Sequence, residues 1–137
     1  MLKKVSTAIV TDSSGNATVY LGSRLNGYLV ALIYRPGTIV TGADLTITTQ
    51  EAVRANPPAG YSAPAGIPIL TKVNLGTGNS FLYPRAKPTI SNDATGGLGT
   101  SPSELIPLVN DRIKVVVAQG GDTLTGSIEA IYETDTD

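Results

Sequence analysis

Apolar and polar residues alternate along much of this chain with a period of two, the spacing of a half-buried β-strand. Val5, Thr7 and Ile9 share one face of a predicted strand of about Val5–Thr11. Ala17, Val19 and Leu21 share a face of the next, Ala17–Leu21, with Thr18 and Tyr20 opposite. Asp12-Ser13-Ser14-Gly15-Asn16 lies between them and predicts a turn, and so a hairpin. Tyr28–Tyr34 is apolar at every position, which predicts a strand covered on both faces, one of them by a second subunit. Tyr28, Val30, Leu32 and Tyr34 are its candidate subunit contacts. Leu45 and Ile47 alternate with Asp44, Thr46 and Thr48 in a half-exposed strand. Ile67–Val73, Ser80–Tyr83, Glu104–Val109, Arg112–Ala118 and Leu124–Tyr132 continue the series. Pro68 and Pro107 mark two of these as edge strands, because proline cannot donate to a ladder. In Arg112–Ala118, Ile113, Val115 and Val117 face inward and Arg112 and Lys114 outward.

About eight or nine short strands, no sustained helical period and no internal repeat predict an all-β chain. The expected fold is a single-domain β-sandwich over residues 1–132, jelly-roll-like, with an acidic tail at 133–137. Composition agrees: Thr, Val and Ile supply 39 of 137 residues, and these residue types favour strands. The first and last strands are expected to pair, since Lys3 and Lys4 near one end oppose Glu129, Glu133 and Asp135 near the other.

Two stretches break the pattern, 51–66 and 84–103. Structureless loops beyond about 12–15 residues are uncommon and are usually functional or disordered. Both carry residue types enriched at interface hot spots. Arg54 and Tyr61 in the first, and Tyr83, Arg85, Lys87 and Leu98 in or beside the second, are the candidate partner contacts.

Chemistry-bearing motifs are sparse. The chain has no Cys, His or Trp, which excludes disulfides, thiolate or imidazole metal sites and a Ser-His-Asp triad. Gly76-Thr77-Gly78 lacks the third glycine of a dinucleotide loop, and Gly96-Gly97-Leu98-Gly99 lacks the Lys-Ser/Thr of a phosphate loop. Asp12–Asn16 has too few carboxylates for a calcium loop. The scattered Asp and Glu read as turn formers and solvated charges. These readings predict no enzyme, no cofactor and no small-molecule substrate. Ten basic residues against eleven acidic ones give no drive toward nucleic acid or an anionic membrane. The apolar run after Lys3-Lys4 is too short for a signal peptide, and Tyr28–Tyr34 too short to span a bilayer. With only 15% charged residues and a formal charge of −1, the surface is suited to association, and a two-fold homodimer is the commonest form.

Several strings carry a family resemblance. They are Ala17-Thr18-Val19-Tyr20-Leu21-Gly22, Thr41-Gly42-Ala43-Asp44-Leu45-Thr46-Ile47-Thr48, Pro68-Ile69-Leu70-Thr71, Tyr83-Pro84-Arg85 and Asp111-Arg112-Ile113-Lys114-Val115-Val116-Val117-Ala118-Gln119-Gly120-Gly121. In that order they resemble a family of small proteins encoded among the head genes of tailed bacteriophages, over about Val5 to Tyr132. The stretch between Gln50 and Ile67 departs from the family pattern by being longer. The resemblance implies a virion structural protein, a capsid cement (decoration) protein with a jelly-roll-like sandwich. It implies the major capsid protein as partner, assembly in the host bacterial cytoplasm and a place on the capsid exterior. It supplies no catalytic residue. Two other readings stand beside it. One is a head–tail connector or tail or spike-base component. The other is a glycan-binding module stacking sugars on Tyr61 or Tyr83, against which the lack of Trp counts.

Overall fold

A computed structural model of the chain describes residues 1–51, 66–86, 95–99 and 104–135, with the Glu51 side chain left out. The fold is all-β. Its strands are β1 (Leu2–Val10), β2 (Ala17–Arg35), β3 (Asp44–Glu51), β4 (Pro68–Lys72), β5 (Ser80–Leu82), β6 (Ile106–Ala118) and β7 (Thr125–Glu133). They form one antiparallel seven-stranded sheet in the order β1-β7-β2-β6-β3-β4, with β5 also paired to β2. The nine segments expected from the alternation each overlap one of these strands, with free ends differing by up to three residues. Two pairs of them are fused, which makes β2 19 residues long and β6 13.

Fusion leaves bends where the sequence suggested turns. The β2–β6 ladder runs in register from Ala17↔Val117 to Leu21↔Ile113, then shifts before Leu25↔Asp111 and again before Gly27↔Leu108. At the β6 bulge Val109 is thrown outward and Asn110 takes a positive φ of 53°, a conformation asparagine tolerates. Side chains satisfy the donors this leaves over. The Asn110 N–H donates to Asn26 Oδ1 at 2.9 Å and the Val109 N–H to Asp111 Oδ2 at 3.1 Å.

Bending lets β2 serve two half-sheets. Its first part pairs with β6, which carries β3 and then β4. Its second part pairs with β7 on one side and β5 on the other, and β7 carries β1. Strands that pass between sheets at bulges are how such sandwiches turn corners. One apolar cluster lies between the halves. Leu21, Leu45, Ile47, Ile113, Val115 and Val117 come from one, and Ile9, Leu32, Tyr34, Ile128 and Ala130 from the other. Ile113, Val115 and Val117 face inward as expected.

Three expectations are corrected. β1 and β2 are not laddered as a hairpin, because β1 pairs along its whole length with β7, from Leu2↔Glu133 to Val10↔Thr125. The turn between them does form, with Asp12 Oδ1 accepting the Ser14 and Asn16 N–H groups, both at 2.9 Å. The acidic tail does not begin at 133. Glu133 is in β7, and the buried Thr134 exchanges backbone hydrogen bonds of 2.8 and 2.9 Å with Met1. Finally, Leu32 and Tyr34 are fully buried in the chain's own core and cannot touch another subunit. Val30 is the extra residue where the β2–β7 register shifts between Leu29 and Ala31. The bulge changes the phase, so Leu29, Leu32 and Tyr34 fill the core while Tyr28 and Ile33 turn outward; Ala31 pairs on the same face as Ile33 but is buried. The pairing of first and last strands is as expected.

Candidate functional site

The outward face around β5 brings together two large exposed aromatic side chains, Phe81 and Tyr83. Along β5 and just past it, Ser80 is buried, Phe81 is 61% exposed, Leu82 is half-buried and Tyr83 is 65% exposed. Period-two alternation puts Phe81 and Tyr83 on one face. Phe81 pairs with Ile33 of β2, and Ile33 pairs with Glu129 of β7. One step along, Ala31 pairs with Ile131, and Ile131 with Lys4. Paired residues share a face, so the exposed Phe81 and Tyr83 and the half-buried Ile33 and Ile131 make an apolar strip across three strands, over the buried Ala31.

Charge borders the strip. The Glu129 carboxylate lies 3.7 Å from Lys4 Nζ and 3.4 Å from Arg35 Nη1. The two cations cover it, leaving the Glu129 side chain 13% exposed. Arg85 closes the other flank, its Nη1 donating to the carbonyls of Val30 at 2.9 Å and Pro84 at 2.8 Å. Two of its contacts are thus spent on backbone, and one of these holds the Val30 bulge that turns Ile33 outward. Each aromatic carries about 150–250 Å². Roughly three-fifths exposure of two rings leaves about 200–300 Å² of aromatic surface in water. Covering it is worth roughly 5–8 kcal/mol before the cost of association. Apolar patches rimmed by polar groups mark interaction sites.

Of the candidate partner contacts, Tyr83 and Arg85 meet at this strip. Leu98 is 65% exposed in the short stretch 95–99. Arg54, Tyr61 and Lys87 lie outside the described residues. Of the candidate subunit contacts, Tyr28 is 51% exposed and Val30 is half-buried, whereas Leu32 and Tyr34 are core. Sequence reading missed Phe81, Ile33 and Ile131. Phe81 was within reach, since it shares strand parity with Tyr83. Ile33 was not, because its face depends on the Val30 bulge.

Other features offer less. The outer face of the β2–β6–β3 half carries the Arg112 guanidinium 3.9 Å above the Tyr20 ring, a cation–π contact that uses both groups. A cleft of about 190 Å³ opens between Gly27, Tyr28, Glu133, Thr134 and Asp135. Small-molecule sites usually offer about 300–1,000 Å³. Among the described residues no three acidic side chains gather as a metal site would need, and no helix is long and apolar enough to cross a membrane. No protein-family model matches the chain, and no curated protein matches it.

Proposed function

We propose that the chain is a non-enzymatic structural protein of a tailed-bacteriophage head, a cement protein that docks on the outer shell and bridges neighbouring major capsid subunits. One observation carries the interaction role: the Phe81–Tyr83–Ile33–Ile131 strip, flanked by the Lys4–Glu129–Arg35 ions. The capsid as partner rests on the strings that resemble phage head proteins. The mechanism is burial of area across seams, so that subunits pressed apart by packaged DNA must also break the cement contact. A specific interface of this kind buries about 1,200–2,000 Å². Repetition of the site over a symmetric shell lets modest contacts act together.

The test uses particles stripped of this protein. Stripped heads should lose heat resistance, and added wild-type chain should restore it. The double variant Phe81→Ser, Tyr83→Ser should bind at least about tenfold more weakly, since truncating an aromatic anchor commonly costs more than 1.4 kcal/mol. Stripped heads as stable as intact ones would remove the cementing role. Copy number separates the rival: hundreds per particle belong to the shell, a single ring of a dozen or fewer to a connector.

A further inference from the structure

β1 ends the sheet, and its outer edge has no backbone partner among the described residues. Nine residues long, it pairs with β7 in unbroken register and contains no Pro and no bulge. Natural proteins usually blunt such an edge with a proline, a bulge, a short strand or charged side chains such as Lys, because an open row of donors and acceptors templates further pairing. Here the charge sits at one end only, at Lys3 and Lys4, and Lys4 is paired with Glu129 of the same chain at 3.7 Å.

The direction of that open row is fixed. Met1 and Thr134 exchange both backbone hydrogen bonds, and the Thr11 N–H donates to Leu124 O at 2.9 Å. Bonding alternates along an antiparallel strand, so odd-numbered residues of β1 bond to β7. Leu2, Lys4, Ser6, Ala8 and Val10 therefore aim their N–H and C=O groups outward, and all five are exposed. Leu2 is 64% exposed and Val10 56%, large apolar side chains left in water at the two ends of one face.

We propose that a second copy of the chain covers this edge, its β1 antiparallel to the first about a two-fold axis at Ser6. In that register Leu2 of each copy sits opposite Val10 of the other, Lys4 opposite Ala8, and Ser6 opposite Ser6. Each of these pairs is of the hydrogen-bonded type, giving about ten inter-chain backbone bonds. Both exposed apolar ends are covered at once, and no like charges meet across the seam. A two-fold interface requires such self-complementarity, and this strand has it in its own sequence. The axis stands perpendicular to the sheet. The two outward strips of Phe81, Tyr83 and Ile33 thus lie on one continuous face. The inference does not rest on the virion role.

The purified full chain tests it. Light scattering at tens of micromolar should give twice the 14.1 kDa of one chain. Ser6→Pro removes an outward N–H without touching the β1–β7 ladder, and should give a monomer with an unchanged β-type circular dichroism spectrum. Should that variant misfold, the surface pair Leu2→Lys, Val10→Lys places like charges opposite each other and should give a monomer. Leu2→Lys with Val10→Glu places opposite charges there and should restore the dimer. The native chain has no Cys. Ser6→Cys should therefore cross-link under mild oxidation, as the roughly 5.5 Å Cα separation of a hydrogen-bonded pair permits, while Thr46→Cys should not. A monomeric wild type, or a dimer that survives the Lys pair and leaves Ser6→Cys uncross-linked, would overturn the proposal. Detection of the chain on virions is a separate measurement, so either idea can fail alone.

Discussion

Tyr34 shows how much one residue position can hide. Its side chain is fully buried and its hydroxyl has no hydrogen-bond partner among the described residues. A buried hydroxyl without a partner costs about 1–3 kcal/mol relative to water, while the ring contributes its full apolar burial. Tyr34→Phe keeps the ring and removes the orphan, so urea unfolding should show stability unchanged or raised by about 1 kcal/mol. pH sharpens the test. Burial raises the Tyr34 pKa above its ordinary value of 10.0 by disfavouring the phenolate. Below about pH 10 the phenol is neutral in both folded and unfolded chains, and its ionisation costs nothing. Above that, the unfolded chain releases the proton first, so the Tyr34 contribution is lost as pH rises toward the folded-state pKa. The stability gap between Tyr34→Phe and the wild type should widen above about pH 10. A constant gap would show that this hydroxyl is not buried. Strand periodicity alone put Tyr34 on an outward face. A bulge is one inserted residue with no composition of its own, so Val30 carried no signal.

At the scale of elements, alternation located every strand but not the continuity between them. Gly22, Asn26 and Gly27 in β2, and Asn110 and Asp111 in β6, are residues that commonly make turns. Here the same backbone freedom makes bends, because the two sites face each other across one ladder and each strand follows the other round the corner. Local sequence cannot separate the two outcomes, since the difference lies in a partner more than 80 positions away, as in the Asn26–Asn110 hydrogen bond. Gly27 is the tightest point of the β2 bend. Its φ is 130°, and a Cβ there would collide with the backbone carbonyl of Glu133. Gly27→Ala should therefore lower the urea midpoint by an amount equivalent to more than about 2 kcal/mol. Gly78 is the comparison: a Cβ there meets nothing within 4 Å and its φ lies outside the positive range. Gly78→Ala should be neutral or stabilising by up to about 1 kcal/mol, by reducing the freedom of the unfolded chain. Equal effects of the two substitutions would mean that β2 does not bend where Gly27 meets β7.

For the whole molecule, all-β class and the meeting of the two chain ends were legible, the latter from charges that do come together as Lys4 and Glu129. With Lys4 largely in water the pair is screened and contributes on the order of 1 kcal/mol, so it reports the strand pairing more than it causes it. The strand order was not legible, because β1 finds β7 across almost the full length of the chain, and β2 finds β6 across more than half of it. That order has a consequence for cooperativity. β7 lies between β1 and β2 and is the last strand in the chain. Until it is in place β1 has no ladder partner, and the core cluster lacks Ile128 and Ala130. A chain ended at Asp122, before β7, should lack a stable fold altogether: no cooperative urea transition, and strong binding of a hydrophobic dye. A chain shortened only by Thr136 and Asp137 should match the wild type, since the buried Thr134 still closes the ladder on Met1. If the Asp122 truncation unfolded cooperatively, the β2–β6–β3–β4 half would be an independent unit. The single apolar cluster shared by both halves argues for one all-or-none transition instead.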